Sequence, residues 1–340
     1  MKTVHWRLRF KHLGTALLMA VITLPASADN AMPGKGVTVQ PLKGPLAEET
    51  FQTRIVMRAL ADLGYDVKPV KESDYASAHL AVATEAGAFL TTHWTPLHND
   101  FYASNGGDAK LVRSGALIAN NLQGYLIDRK TAEQYRITNI AQLRDPAVAK
   151  LFDTDGDGKA DLAGCAAGWG CEKVIEHQLT AYKLRDTITH KQGAYSELMA
   201  DVITRYKEGK PILYYTWTPY WVSGTLVPNT DVVWLEVPFS SQPGVNAGKS
   251  TKLPNGKDYG FEVNTQHILA SKAFVTAHPD AGKLFEVMTI DVNDINMQNM
   301  WMSIGLTSSA DIDRHVTAWI KVNRKVYDGW LAQAQAAANP

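Results

Sequence analysis

Apolar positions along this chain switch repeatedly between a period of two and a period of about 3.6 residues. Residues 37–40 alternate as a strand. Ile55, Met57, Leu60 and Leu63 then recur at helical spacing within 47–63, closed by Gly64, and 65–69 reads as a second strand. Strand, helix, strand is a βαβ opening. The pattern continues through 79–83 and 87–92, ending at Trp94, and through extended segments at 116–119 and 124–127 around Asn120 and Asn121. Short helices are expected at 131–135 and 140–143. Val174, Ile175, Leu179 and Tyr182 mark one helical face, and a further helix is expected at 196–206. Strands are expected at 212–215 and 232–235, then a Gly/Ser/Pro/Asn-rich loop at 238–255, a strand at 260–269, and amphipathic helices over 273–299 and 311–337. Such alternation predicts an α/β fold.

The ends of three apolar segments share one residue type. Ile212 to Tyr215 leads into Trp217-Thr218-Pro219, and the segment from Ala88 leads into Trp94-Thr95-Pro96. In each, the threonine reads as an N-cap and the proline as the first helical residue. That places His98 on the first turn of the helix that Pro96 starts. Trp169 lies between Gly168 and Gly170, just ahead of the helical face at 174–182, so Gly170 and Cys171 present backbone N–H groups at a helix start, which suits a carboxylate. Ligands of open α/β sheets bind beyond the carboxyl ends of strands, so three indoles at such positions predict one aromatic-lined site. Any one tryptophan alone is more readily explained as core packing. The repeated Trp-Thr-Pro weakens that explanation.

Composition narrows the class. Met1 to Ala28 carries Lys2, Arg7, Arg9 and Lys11, an apolar run from Leu13 to Leu24, and Ala26-Ser27-Ala28, the marks of a cleaved secretory leader. No cysteine stands at the expected new N-terminus to carry a lipid, and no other stretch reaches the apolar length of a membrane span. The leader holds four of the 34 basic residues, so residues 29–340 carry 30 basic against 34 acidic ones. A mildly acidic protein is a poor match for nucleic acid or an anionic membrane. The 312 residues after Ala28 suffice for two lobes.

Cys165 and Cys171 are the two cysteines of the chain, and in an exported protein such close spacing predicts a disulfide. So short a loop contributes roughly 2 kcal/mol, which points to local rigidity around Gly168-Trp169-Gly170. Asp153, Asp155, Asp157 and Asp161 occupy relative positions 1, 3, 5 and 9 of an oxygen-rich loop, with the Lys159 carbonyl at position 7, a spacing that suits structural Ca²⁺. Position 12, however, is Gly164 where an EF-hand has glutamate, so a solvated acidic turn stays open as the alternative. Gly244 to Ser250 imitates a phosphate loop but has Pro243 where the first glycine belongs. Gly-x-Ser-x-Gly, His-Glu-x-x-His and Gly-x-Gly-x-x-Gly are absent, which removes the specific reasons to expect an enzyme.

Five segments carry a resemblance: His93-Trp-Thr-Pro-Leu-His98, Ile137 to Leu143, Leu151 to Leu162, Gly168-Trp-Gly-Cys171 and Tyr214 to Trp221. In these the chain resembles the periplasmic glycine betaine/proline betaine-binding proteins of ABC-type osmoprotectant uptake, over essentially everything after the leader. The resemblance implies a type II periplasmic-binding-protein fold, with two α/β lobes and a ligand cleft between them. Lobes of 29–121 with 265–340, and of 122–264, are expected. It implies that Trp94, Trp169 and Trp217 enclose a trimethylammonium group, while His98 and the N–H groups of Gly170 and Cys171 hold a carboxylate; none of these positions departs from the family pattern. The implied partners are glycine betaine or proline betaine, an inner-membrane ABC permease and, through it, an ATPase. A monomer is expected. The resemblance implies no catalytic residue and no required cofactor. The competing class is a secreted carbohydrate-binding protein or hydrolase, since sugars also stack on tryptophan. Sugar sites, however, add several Asp, Asn or Arg side chains, and few lie near these three residues in sequence.

Overall fold

Two sheets organise residues 32–338, the part of the chain that the computed structural model describes. The expected leader, Met1 to Ala28, lies outside the described residues. In chain order the strands are β1 (Thr38–Lys43), β2 (Asp66–Val67), β3 (Lys71–Glu72), β4 (Ala88–Thr95), β5 (Leu111–Asn121), β6 (Gln123–Asp128), β7 (Ala160–Ala163), β8 (Ile188–Lys191), β9 (Leu213–Trp217), β10 (Val232–Trp234) and β11 (Asn264–Ser271). The first sheet runs β2-β1-β4-β11-β5, with β3 also on β1; the second runs β10-β6-β9-β7-β8. Strands β2, β3 and β4 pair with β1 in parallel, as βαβ crossovers require, whereas β11 returns antiparallel between β4 and β5. The chain crosses from one sheet to the other between Asn121 and Gln123 and comes back on β11.

Inner strands read as continuous apolar or aromatic runs because both of their faces are covered. Every residue of β4 up to Trp94 is buried, as is every residue of β6 and β9. Val39, Phe89, Ile268, Phe285 and Tyr327 belong to the core of the first half, and Tyr125, Leu162, Ile175 and Tyr214 to that of the second. Trp94 crosses this division: its backbone is in the first sheet, but its indole packs with the core of the second.

Local chemistry departs from the sequence expectation in three places. The Thr95–Pro96 and Thr218–Pro219 peptides are cis, β4 runs on through Thr95, and the helices begin only at Asn99 and Val222. The prolines therefore form turns and do not open helices, and His98 precedes the first helical residue. X-Pro is the one linkage for which cis costs little, so a Thr-Pro pair after a strand reads alike in either role. Each long C-terminal helix is divided, into Lys272–Ala277, Pro279–Val287 and Val292–Ser303, and into Ser309–Val322 and Arg324–Ala337. Pro279 starts one piece at its first turn and Asp291 caps another through the N–H of Asn293; the apolar period survives such breaks and hides them. Finally, β11 starts at Asn264, four residues later than expected.

Candidate ligand-binding site

Beyond the ends of β4 and β9 a cleft opens between the two halves, lined by Trp94, His98, Trp169, Gly170, Cys171 and Trp217 together with Tyr75 and Tyr215. All six positions singled out in the sequence are thus brought to one cavity. Its remaining lining is Leu46, Leu97, Asn121, Leu122, Gln123 and Asn264, with no acidic or basic side chain.

On the first half, the turn after β4 is closed twice. The His98 N–H donates to the Trp94 carbonyl at 2.7 Å, and the Trp94 N–H donates to His98 Nδ1 at 3.2 Å. Asn264 Oδ1 on β11 takes the Leu97 N–H at 3.2 Å and pins the turn to the sheet. Because Nδ1 of His98 accepts, the neutral ring carries its hydrogen on Nε2. Burial, and then the neighbouring His79, push the imidazole well below its ordinary titration range, so it is uncharged. His79 is itself held by the Tyr75 carbonyl and by His93 Nδ1 at 2.8 Å. The Tyr75 ring lies 4.6 Å from that of His98 and 6.1 Å from that of Trp169, and its hydroxyl donates to the buried Glu49 carboxyl at 2.7 Å.

On the second half, Trp169 occupies the N-cap position of the helix Gly170–Ala181, so the N–H groups of Gly170 and Cys171 have no intrahelical acceptor. Cys165 and Cys171 are joined by a disulfide, with Cα atoms 5.9 Å apart. The Cys165 N–H donates to His190 Nε2 at 2.9 Å, and His190 Nδ1 donates to Glu176 at 2.7 Å, which ties the disulfide loop to β8 and to the helix it precedes. Gly170 has to be glycine: a Cβ there would stand 2.9 Å from both Cγ and the carbonyl oxygen of Leu97. Trp217 ends β9 wedged between Tyr195 and Tyr220, with ring centroids at 4.7 and 4.6 Å, and Trp169 meets it near edge-on at 6.1 Å and 70°. Trp94 and Trp217 retain 7% exposure each in this arrangement of the two halves.

Three amides in the lining are already engaged in the framework. Asn264 Oδ1 is taken as above, Gln123 Oε1 accepts from Tyr215 Oη at 2.6 Å, and Asn121 Nδ2 donates to the Ile118 carbonyl at 3.1 Å. Asn121 Oδ1 is left without a partner among the described residues; beside it the cavity presents aromatic surface, the imidazole of His98 and a helix N-terminus. Such a site suits a compact zwitterion whose cation has no hydrogens to donate.

Comparison with known proteins decides the family. The family model described as the substrate binding domain of ABC-type glycine betaine transport systems matches residues 38–322. The chain belongs to this family. As an ABC substrate-binding protein it is a non-catalytic part of a transport system. It is 54% identical over 323 residues to the glycine betaine/proline betaine-binding periplasmic protein of Escherichia coli K12, covering 95% of this chain and 97% of that one. It is 51% identical over 326 residues to the glycine betaine-binding periplasmic protein OusX of Dickeya dadantii, covering 96% and 98%. Among solved structures, an ABC-transporter choline-binding protein in complex with choline superposes with a TM-score of 0.67 at 17% identity, over 88% of this chain and 96% of that one. Lactococcal OpuAC, closed and complexed with glycine betaine, gives 0.64 at 17%, over 87% and 99%. These likenesses establish the bilobed type II solute-binding fold for this betaine-transport family member.

The acidic loop lies apart from the cavity lining. Asp153, Asp155 and Asp161 bring carboxylate oxygens within 4.8 Å of one another, while the Asp157 carboxylate turns to the N–H of Lys159 at 2.8 Å. The ammonium of Lys191 bridges Asp155 and Asp161 at 2.6 and 3.1 Å, a cation supplied by the chain itself. Sequence reasoning missed Lys191, and it missed Tyr75, Tyr195 and Tyr220 around the indoles. For Tyr220 a signal was present, since it stands in the segment Tyr214 to Trp221, three residues after Trp217.

Proposed function

We propose that Trp94, Trp169 and Trp217 enclose the quaternary ammonium of glycine betaine or proline betaine, and that the Nε2–H of His98 with the N–H groups of Gly170 and Cys171 takes the carboxylate. One observation carries this reading: a neutral imidazole with its hydrogen on Nε2 faces the same aromatic cavity as an unpaired helix N-terminus, with no charged side chain in the lining. Each aromatic face contributes ~0.5 to 2 kcal/mol to a weakly hydrated cation. A primary ammonium would leave its donors unsatisfied there, at roughly 1 to 3 kcal/mol each, which disfavours ordinary amino acids. The ligand's own charges balance, so the site needs none.

The protein is periplasmic and delivers its ligand to an inner-membrane ABC permease and its ATPase, an uptake system suited to osmoprotection. Removal of Met1 to Ala28 by cleavage after Ala28 belongs to this reading, supported by Ala26-Ser27-Ala28 and the apolar run before it. So do lobes of 29–121 with 265–340 and of 122–264, supported by the membership of the two sheets. On that division Trp94 and His98 face Trp169, Gly170, Cys171 and Trp217 across the cleft.

Calorimetry with glycine betaine, proline betaine, choline, glycine and maltose tests the proposal. Tight one-to-one binding of both betaines, weaker binding of choline and none of glycine or maltose is expected. Maltose binding, or turnover of any of these compounds, would replace it with the carbohydrate reading.

A further inference from the structure

Residues 238–255, a Gly- and Ser-rich stretch without a strand, behave as a strap. It is fastened to the helix Gly170–Ala181 and the residue after it. Ser241 Oγ pairs with His177 Nε2 at 2.8 Å, the Ser241 carbonyl accepts from Gln178 Nε2 at 3.2 Å, and the Phe239 carbonyl accepts from Tyr182 Oη at 2.8 Å. At its tip, the turn Gly244–Asn246, the strap reaches the other half of the molecule. Asn246 Nδ2 donates to the Pro96 carbonyl at 3.0 Å, Asn246 Oδ1 accepts from Asn99 Nδ2 at 2.9 Å, and the Val245 N–H donates to Asp100 Oδ1 at 3.0 Å. Gly244 makes the approach feasible, since its φ is +59° and a Cβ would fall on the Asp100 carboxylate. Alongside, the Lys173 ammonium lies 5.0 Å over the ring of Phe101. Asn246 is buried in this seam and belongs to no part of the cavity lining.

We propose that Asn246 is a positioning residue that governs ligand retention: it clasps the turn bearing His98 to the strap that moves with Gly170 and Cys171, and so holds the two carboxylate-binding elements together after capture. The inference rests on the betaine reading of the cavity. Its ground is place in the chain: Pro96 and Asn99 flank His98, and the strap is fastened to the very helix whose N-terminus offers Gly170 and Cys171. A carboxylate is the ligand group that both sides grip, so the clasp completes a closure that such a ligand drives. A cation lacking the carboxylate closes the seam less and draws less from it.

Stopped-flow tryptophan fluorescence with glycine betaine and with choline tests this on wild type, Asn246→Ala and Asp100→Ala. Asn246→Ala removes two neutral seam bonds and Asp100→Ala one to a carboxylate, so dissociation of glycine betaine should speed up roughly tenfold while association stays within about twofold. Choline dissociation should change less, and the melting temperature of the free protein should hold. Unchanged betaine dissociation, equal acceleration for both ligands, or a loss carried by association would each overturn the clasp. Asp100→Ala breaks the seam at Val245 and leaves the bonds of Asn246 in place, so it tests whether the strap clasps the turn even where Asn246→Ala fails to fold. Failure of wild type to bind betaine at all would instead overturn the betaine reading.

Discussion

The Trp94 N–H donates to Nδ1 of His98 across 3.2 Å, so a single turn holds the backbone of a cavity-lining tryptophan and the tautomer of the imidazole beside it. His98 then offers one hydrogen, on Nε2, from a ring that burial keeps neutral. His98→Ala should weaken glycine betaine roughly 10- to 100-fold, the worth of a hydrogen bond to a charged group, and leave the weaker binding of choline nearly unchanged. Calorimetry on the two ligands separates the outcomes. Equal losses would assign His98 to holding the turn.

Glu49 lies behind Tyr75, accepting its hydroxyl, with Thr92 and Lys43 nearby, and burial lifts its carboxyl from 4.5 to about 7. A folded-state value above the unfolded one means that the native protein binds this proton more tightly. The contribution is full below pH 4.5, declines as pH rises, and is gone above about 7. Glu49→Gln should therefore flatten stability over that window, worth ~1 to 3 kcal/mol, and gain most relative to wild type at pH 8. Urea unfolding at pH 5 and 8 checks the sign. A variant that loses more stability at pH 8 than at pH 5 would show the ionised carboxylate to be the favoured form.

How much of this site the chain discloses depends on which contacts are local. Trp94, Trp169 and Trp217 stand at the ends of apolar segments and Gly170 and Cys171 at a helix start, which spacing marks, whereas a ligand role for His98, four residues after Trp94, comes from the family resemblance. Tyr75, Tyr195 and Glu49 approach the cavity through tertiary packing, and no period marks them. Alternation exposed the α/β class and most strands. The isomer of Thr95–Pro96 is invisible to it, as are the breaks at Pro279 and Asn323 that leave the apolar phase intact. Residues 244–250, which imitate a phosphate loop, are in the fold the tip of a strap, a role set by Pro96, Asn99 and Asp100 some 150 residues earlier.

The Lys191 ammonium already holds Asp155 and Asp161, so a cation binding this loop would have to displace it. Asp161 is buried, so removing its ammonium partner leaves Oδ1 unpaired while Oδ2 keeps the Thr154 N–H and hydroxyl, at a cost of about 1 to 3 kcal/mol. Lys191→Met should lower the melting temperature in EDTA and recover it in millimolar CaCl₂, with Asp153 and Asp157 supplying further oxygens, whereas wild type should shift less. Identical melting of both proteins in EDTA and in CaCl₂ would reject Ca²⁺ at this loop.

Trp94 and Trp217 stand on strands of different sheets, and Trp217 is braced by Tyr195 and Tyr220 of its own half. On the proposed reading, a cation meets Trp217 and Trp169 on one half first and reaches Trp94 only as the cleft closes. Binding energy gained at that last ring becomes a preference for the closed form, the state a permease distinguishes from the open one. Trp94→Leu should still bind glycine betaine weakly while failing to compact. Trp217→Leu should lose most binding, because the half-site that captures ligand first is broken. Small-angle scattering with and without saturating betaine reads both effects: a wild type that does not compact, or a Trp94→Leu protein that compacts as fully as wild type, would show that the two halves do not act as a trap.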